Sequence, residues 1–307
     1  MEFLDRATYQ RDLGQTLDLF TQAFGRRIPE AFLTWRYLDN PAGGPLVCVA
    51  REEGVIIGSY SVSPVVLDCD GEPRPSALSM TTMTHPAHNG KGIFKTLATT
   101  LYERMNSTHD LVWGFPNANS HFAFANRLAW GDIYEVPTLT LSLEKAKVDS
   151  VALVRDDGFE RSYRLVKRRE RIAVRKERDY LRWRYLANPI NRYRTFVVMD
   201  GGEVSSFAVT KVFGEGLDLV DLQAVEDEQA DLLLRQVVRH AKEEGLGAIA
   251  TWCPVQAGSH KILERHGFEN RAPITYFGAR PLRTGPEGLD WLDRRNWYIQ
   301  MGDSDVY

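Results

Sequence analysis

The chain has little of what marks a secreted, metal-binding or membrane-spanning protein. Its 307 residues include three cysteines, Cys48, Cys69 and Cys253, an odd and widely spaced set that predicts neither a disulfide framework nor a zinc site. The seven histidines form no His-Glu-x-x-His pattern, so we expect no metal. No apolar run approaches the roughly 18 residues of a spanning helix, and the N-terminus does not have the layout of a signal peptide. We therefore expect a cytoplasmic protein with no membrane partner.

The chain also lacks a strong charge of either sign. It carries 38 Lys and Arg against 41 Asp and Glu, a formal net charge of −3. Because there is no basic excess, we expect no nucleic-acid partner, and we interpret the basic runs at 167–171 and 175–178 as a solvated face. Length and a hydrophobic fraction of 43% are typical of a globular protein with two domains.

The most informative segment is residues 84–94, Thr-His-Pro-Ala-His-Asn-Gly-Lys-Gly-Ile-Phe. It follows a strand-like run, 75–84, and precedes a helical pattern of apolar residues: Ile93, Leu97, Leu101 and Met105. The first N–H groups of a helix have no intrahelical partner, and the helix dipole favours negative charge there. A glycine-bearing loop at this point therefore predicts an anion site, although Gly-x-Gly is also compatible with a plain strand-to-helix turn.

One stretch of the chain occurs twice. Residues 32–41, Phe-Leu-Thr-Trp-Arg-Tyr-Leu-Asp-Asn-Pro, recur as residues 180–189, Tyr-Leu-Arg-Trp-Arg-Tyr-Leu-Ala-Asn-Pro. The same offset relates residues 54–59 to residues 202–207. Two copies favour a tandem domain over a solenoid, which needs at least three repeats. The predicted elements agree, since both halves place three strands before the order helix, strand, helix, strand.

The loop resembles motif A of the GNAT N-acetyltransferases, Gln/Arg-x-x-Gly-x-Gly/Ala after a strand end. Thr84-His85-Pro86 matches the strand end, Asn89 the Gln/Arg position and Gly92 the central glycine, whereas Phe94 stands where a small residue is usual. Leu-x-Arg-x-Gly-Phe at 263–268 is similar to a GNAT helix ending. The resemblance implies an α/β fold (α+β, with a mixed sheet) in two tandem GNAT-like domains, the second degenerate. It also implies that the loop holds the diphosphate of coenzyme A.

We predict four segments. Residues 1–145 form an N-terminal GNAT domain that binds acyl-CoA, 146–178 a charged connection, 179–282 a degenerate GNAT-like domain, and 283–307 a C-terminal tail that docks on the body. The second-half counterpart of the glycine loop, 225–231, has no glycine and four carboxylates. These carboxylates would repel a diphosphate at that helix start. Only the first half is therefore expected to hold the donor.

The resemblance also implies the residues that contact the donor. Main-chain N–H groups near residues 82–84 would hold the thioester carbonyl as its oxygen becomes negative. Ser120 is expected to cap the helix that starts nearby, which leaves Asn117 or Asn119 for the ligand. The expected cofactor-binding residues are Met83, Thr84, Asn89, Gly90, Lys91, Gly92, Ile93, Asn117 and Asn119.

The catalytic acid and base stay open. The usual Tyr of the family is absent from the helix after the second splayed strand, where Phe124 and Ala125 lie, and the strand before the loop has no Glu. The remaining catalytic candidates are His121, His85 and Asp305. Each has a plain alternative: a solvated first-turn residue, a surface turn residue and part of a solvated acidic tail.

The resemblance implies an enzyme of EC class 2.3.1. It would move an acetyl or other short acyl group from acetyl-CoA, or from another short acyl-CoA, to a primary amine by direct attack in a ternary complex. The partner is a small-molecule amine, and the Trp-Arg-Tyr repeats with the Gly-Asp-Ser-Asp ending resemble amino-sugar N-acyltransferases. Alternatives are acetylation of an antibiotic or metabolite amine, a non-catalytic acyl-CoA-binding or scaffold module, and an aminoacyl transferase using charged tRNA, which the near-neutral charge disfavours. A homodimer is one option for the assembly.

Overall fold

The computed structural model describes residues 1–144, Ala146, Phe159 and residues 170–307. The described residues alternate between helices and strands and confirm the predicted mixed α/β class. The strands are β1 (Glu2–Leu4), β2 (Leu46–Glu52), β3 (Val55–Cys69), β4 (Glu72–Thr84), β5 (Leu111–Gly114), β6 (Gly131–Ser142), β7 (Ile172–Val174), β8 (Arg194–Asp200), β9 (Glu203–Phe213), β10 (Gly216–Gln223), β11 (Ala248–Trp252), β12 (Glu269–Pro281) and β13 (Trp297–Tyr298). The helices are α1 (Arg6–Arg11), α2 (Leu13–Phe24), α3 (Glu30–Leu33), α4 (Ile93–Met105), α5 (Ala118–Leu128), α6 (Arg178–Leu181), α7 (Asp227–Glu243) and α8 (Gly258–Arg265). In this described part of the chain, no helix has the length and apolar character needed to cross a bilayer.

The chain folds into two compact units. Unit 1 comprises Met1–Leu67, Pro73–Tyr134 and Tyr276–Asp293, and unit 2 comprises Asp68–Glu72, Glu135–Thr275 and Arg294–Tyr307. These bounds differ from the predicted segments 1–145, 146–178, 179–282 and 283–307. The bounds differ because of strand pairing. Residues 138–142 of β6, predicted in the first domain, pair with β11 in unit 2, and residues 278–281 of β12, predicted in the second domain, pair with β5 in unit 1.

Unit 1 contains the predicted strand–loop–helix. Its strands lie in the order β1-β2-β3-β4-β5-β12, with β4 parallel to β5 and β12 antiparallel to β5. Helix α4 buries Leu97, Leu101 and Met105 in a core cluster that includes Val112 of β5 and Phe124 of α5. These α4 residues share one face because they recur at helical spacing. The pairing of β4 with β5 and the packing of α4 therefore make the β4-α4-β5 crossover that the sequence pattern predicts.

Unit 2 repeats this plan. Its strands lie in the order β6-β11-β10-β9-β8, and β10 runs parallel to β11. Helix α7 buries Leu233, Leu234 and Val237 in the core of the unit. The order β8-β9-β10-α7-β11-α8 matches β2-β3-β4-α4-β5-α5 in unit 1.

The repeated sequence has the same local structure in both units. In each, a four-residue α-helix continues into a π-helical turn, Thr34–Leu38 in unit 1 and Arg182–Leu186 in unit 2. The side-chain oxygen of Asn40 accepts a hydrogen bond from the N–H group two residues later, and Asn188 does the same. This matched geometry supports a tandem arrangement of two related units.

The C-terminal residues are part of the core of unit 2. Residues 297–304 are buried, and β13 pairs with β7. The alternative of a solvated acidic tail is therefore wrong, because Trp297, Tyr298 and Met301 bury their apolar surface. Much of the predicted connection 146–178 lies outside the described residues, but its end contains the buried strand β7.

Candidate active site

The predicted anion loop joins β4 to α4 in unit 1. Residues Pro86–His88 form a 3-10 turn, and Gly90 and Gly92 follow with φ of +80° and +76°. These are left-handed angles, which a residue with a Cβ adopts only at a cost. Gly92 is the N-cap of α4, and among the described residues no side chain caps this helix end. The first N–H groups of α4 can therefore meet an external anion.

The side chains around the loop favour a negatively charged ligand. The ring of Phe94 packs on the rings of Tyr60 and Phe124, with centroid separations of 5.8 and 5.5 Å. The first turn of α4 has no acidic residue. Lys91 and Lys95 are exposed beside it. Positive charge from the lysines and the helix dipole thus act in the same direction.

Strands β4 and β5 part next to this loop. Their parallel ladder covers only residues 76–78 opposite residues 111–113. The strands are still close at the next position, since a Cβ on Gly114 would lie 3.1 Å from the carbonyl oxygen of Ser79. Thr81 then takes φ of +53°, a conformation that is an outlier for a β-branched residue. Backbone outliers of this kind cluster at functional sites. The conformation of Thr81 changes the direction of the N–H groups that follow it, which include the predicted donors of residues 82–84.

The counterpart in unit 2 is occupied by the chain itself. In unit 2, strand β10 has a register shift between Leu219 and Asp221. There the side-chain oxygen of Gln300 accepts a hydrogen bond of 3.0 Å from the N–H of Leu222. Helix α7 begins with the acidic residues Asp227 and Glu228. Both features support the prediction that only unit 1 holds an anionic carrier.

Helix α5, which follows β5, is capped by Asn117. The Asn117 side-chain oxygen accepts hydrogen bonds from the N–H groups of Asn119 and Ser120 at 3.0 and 3.1 Å, and Ser120 Oγ accepts one from the N–H of Asn117. The prediction that Ser120 is the cap is therefore wrong, because Ser120 lies at the third helical position and completes a capping box. The Nδ2 group of Asn117 and the side chain of Asn119 remain the predicted ligand contacts.

His121 lies in the first turn of α5 and has two partners that sequence reasoning missed. Its Nε2 lies 2.7 Å from Oδ1 of Asp132, and its ring stacks on Tyr276, with centroids 4.1 Å apart and planes 7° apart. The hydrogen bond fits the tautomer with a proton on Nε2, which leaves Nδ1 as an acceptor. An imidazole oriented by a carboxylate is an arrangement that acid–base catalysis uses.

The two partners differ in how well the sequence could have indicated them. Asp132 comes just after α5, so a carboxylate that follows the helix carrying a candidate histidine was a usable signal. Tyr276 belongs to β12 and reaches His121 through the pairing of β12 with β5. No local pattern indicates that contact.

The other two catalytic candidates have different surroundings. The Nδ1 atom of His85 accepts a hydrogen bond of 3.1 Å from the N–H of Ala87 and starts the 3-10 turn, which favours a structural role. Asp305 is half-buried in unit 2, whereas the loop and His121 belong to unit 1. The neighbouring Asp303, not Asp305, is fully buried, and it pairs with Lys176 at 2.8 Å.

A buried chain of hydroxyl groups lies beneath α4. Tyr60 OH contacts Ser79 Oγ at 2.9 Å and also contacts Tyr102 OH, to which Trp130 Nε1 donates at 3.0 Å. Burial raises the pKa of Tyr60 well above its ordinary value and that of Tyr102 to about 12. Both phenols therefore stay protonated at neutral pH, which makes them structural donors and unsuitable as bases.

Two other features of the described residues lie apart from the loop and His121 or bear on metal binding. A groove of about 840 Å³ in unit 2 is lined by Arg235, Arg265 and His266, among others, and shares no residue with the loop or with His121. No group of three or more His, Cys, Asp or Glu in the described chain could hold a metal ion.

Comparisons with known proteins agree with this geometry. Residues 6–133 match the family model of an acetyltransferase (GNAT) domain. Three solved structures are similar over most of the chain. A conserved protein of unknown function from Enterococcus faecalis, named as a probable N-acyltransferase, is 11% identical with a TM-score of 0.69, and the match covers 92% of this chain and 72% of that one. A GCN5-related N-acetyltransferase from Anabaena variabilis is 12% identical with a TM-score of 0.66 (coverage 92% and 73%), and N-myristoyltransferase from Saccharomyces cerevisiae with bound myristoyl-CoA is 12% identical with a TM-score of 0.62 (coverage 97% and 87%). At these identities the structures show the fold alone. A sequence search of curated proteins finds no match.

Proposed function

We propose that unit 1 is an acyl-CoA-dependent N-acyltransferase, because residues 6–133 match the family model of an acetyltransferase (GNAT) domain. It transfers an acetyl or other short acyl group to a primary amine of a small-molecule acceptor. The observation that carries the proposal is the N-terminus of α4, without a side-chain cap among the described residues, behind Gly90 and Gly92. This loop follows β4, in which Thr81 takes a φ of +53° beyond the last pairing with β5.

Main-chain groups bind the donor in this proposal. The diphosphate of coenzyme A accepts hydrogen bonds from N–H groups of residues 89–93, and Lys91 adds charge. The thioester lies where β4 and β5 part, with its carbonyl oxygen on N–H groups near Met83 and Thr84. Asn117 and Asn119, at the start of α5, contact the pantetheine arm.

His121 moves the proton. The acceptor amine attacks the thioester carbon, and the carbonyl oxygen becomes negative while the N–C bond forms. Nδ1 of His121 takes a proton from the amine nitrogen, and Asp132 holds the imidazole and stabilises its charged form. When the carbonyl re-forms and the C–S bond breaks, the same proton passes to the thiolate. The products are an amide and free coenzyme A, so protons and electrons balance.

The acceptor and the second unit complete the proposal. An amino sugar is the first acceptor class, suggested by the Trp-Arg-Tyr repeats and the Gly-Asp-Ser-Asp ending, and an antibiotic or metabolite amine is the alternative. Unit 2 is a degenerate copy whose own chain covers the position of the donor. A similar fold in yeast carries myristoyl-CoA, so side chains and not the fold decide the length of the acyl group.

Calorimetry with coenzyme A tests the donor site. In Gly92→Glu a carboxylate would face the diphosphate at the start of α4, and we expect affinity to fall at least roughly ten-fold, as about 1.4 kcal/mol of repulsion would produce. Gly202→Glu is the matched control, because Gly202 also has a positive φ, +85°, with open space around it, but lies in unit 2. Equal affinity of Gly92→Glu and wild type would remove the loop as the donor site.

An assay of thiol release separates the enzyme from the binding-module alternative. Wild-type protein is incubated with acetyl-CoA and a panel of amino sugars and other primary amines. Amine-dependent release of free thiol supports the acyltransferase. Tight coenzyme A binding without turnover on any amine would favour a non-catalytic acyl-CoA-binding module.

A further inference from the structure

An aromatic cluster lies at the carboxyl end of β5 in unit 1. The rings of Phe115 and Phe277 stack with centroids 5.3 Å apart, and the ring of Trp113 meets both edge-on at 6.0 and 6.2 Å. Trp113 and Phe277 are buried, and Nε1 of Trp113 donates a hydrogen bond of 3.0 Å to Ser76 Oγ. Phe115 is half-buried. Two of the three rings are therefore fixed by burial, and the third rests on them.

Strand register puts this cluster beside the gap between β4 and β5. The last pairing of β5 with β4 is at Trp113 and Leu78, whereas β5 stays paired with β12 as far as Gly114 and Gly278. Phe115 and Phe277 come one position further on each strand, where they face each other. The aromatic pair thus continues the β5–β12 ladder past the point where β4 leaves it.

The cluster lies on the face of the strands opposite α4 and α5. Val112 packs in the core with residues of both helices. Successive strand residues point to opposite faces, so Trp113 and Phe115 point away from those helices. On β12 the same alternation places Tyr276 against His121 of α5 and Phe277 in the aromatic cluster. The gap therefore has the anion loop and His121 on one face and the three rings on the other.

We propose that Trp113, Phe115 and Phe277 limit the acyl group to a short chain, an inference that rests on the proposed acyl transfer. A thioester held in the gap, with its diphosphate on the α4 side, directs its acyl carbons through the gap to the opposite face. An acetyl group ends before the rings, whereas each further methylene must displace a packed ring. A closed apolar wall of this kind discriminates by roughly ten-fold or more for each methylene group.

Chain-length profiles test the assignment. The kcat/KM values for acetyl-, butyryl- and hexanoyl-CoA are measured by thiol release for wild type and Phe115→Ala, with the same amine. We expect wild type to prefer acetyl-CoA, and the hexanoyl-to-acetyl ratio to rise at least roughly ten-fold in Phe115→Ala. Phe277→Leu is a milder second variant for the buried ring, and its butyryl-to-acetyl ratio should rise. Phe122→Ala is the control, because Phe122 is 64% exposed on α5, and its ratios should equal those of wild type.

The outcomes separate this inference from the proposed function. Ratios that stay at the wild-type value in both variants, with folding checked by circular dichroism, overturn the chain-length role and leave the acyltransferase standing. A wild-type preference for hexanoyl-CoA also overturns it. If wild type binds no acyl-CoA at all, the proposed function fails, and this inference fails with it.

Discussion

Replacing Asp132 with asparagine should slow acyl transfer and leave coenzyme A affinity unchanged. Asp132 lies in β6, outside the proposed donor loop, and its proposed role is to orient His121 through the hydrogen bond of 2.7 Å to Nε2. The substitution keeps the size of the side chain and removes its charge. His121 then loses both the carboxylate that fixes its tautomer and the charge that stabilises the imidazolium.

The size of this effect follows from the exposure of the pair. A hydrogen bond to a charged group contributes about 1.5–3 kcal/mol when well buried. The side chain of Asp132 is 59% exposed and that of His121 25%, so solvent screening reduces the contribution to about 0.5–1 kcal/mol. We therefore expect kcat/KM to fall roughly two- to five-fold in Asp132→Asn. His121→Ala removes the proton acceptor itself and should cost roughly 10²- to 10⁴-fold.

A double-mutant cycle decides whether Asp132 acts through His121. In the His121→Ala background, Asp132→Asn should have no further effect on kcat/KM, because the group that it positions is gone. Glu103→Gln removes one charge from an exposed position of α4 and serves as the control. A loss of kcat/KM that persists at the same size in the double mutant would show that Asp132 acts independently of His121. Wild-type turnover of His121→Ala would refute the catalytic role of the pair.

Two predictions concern the stability of unit 2. In Gly302→Ala the added Cβ would overlap the hydroxyl group of Tyr185 and lie 3.2 Å from the carbonyl oxygen of Val220, so we expect about 1–3 kcal/mol of destabilisation; an unchanged urea midpoint would contradict this packing. Burial raises the pKa of Asp218 to about 6, so the folded protein binds this proton more tightly than the unfolded chain and loses stability as pH rises from about 4 to 7. Asp218→Asn should therefore lack about 1–2 kcal/mol of the wild-type decline between pH 5 and pH 7.5 in urea unfolding, and an equal decline in both proteins would refute the assignment.

Local sequence patterns predicted the elements around the site. The apolar spacing of Leu97, Leu101 and Met105 predicted α4, and the glycines at 90 and 92 predicted a loop just before it. The repeated Trp-Arg-Tyr-Leu segment predicted a shared structure, and both copies form the same π-helical turn. These features depend on residues close in sequence, so composition and spacing were sufficient.

Predictions that required a choice between two roles compatible with the same local sequence were less successful. Asn117 and Ser120 are both good helix caps, and the choice depended on where α5 starts, which the sequence leaves uncertain by a few residues. The C-terminal segment was predicted to dock on the body, but its acidic composition left a solvated tail as the alternative. It is buried because Lys176 neutralises Asp303 and because Trp297 and Tyr298 find apolar partners.

The sequence by itself thus determined the fold class, the GNAT resemblance and the glycine loop, because each is indicated by patterns of residues that are close together in the sequence. Only the tertiary structure decided that His121 has Asp132 and Tyr276 as partners and that Phe277 faces Phe115. It also decided that β6 and β12 each contribute residues to both units. These contacts depend on which strands pair and in which register. Pairing is a property of the whole packed core, and a register shift of one residue would exchange the faces on which Tyr276 and Phe277 lie.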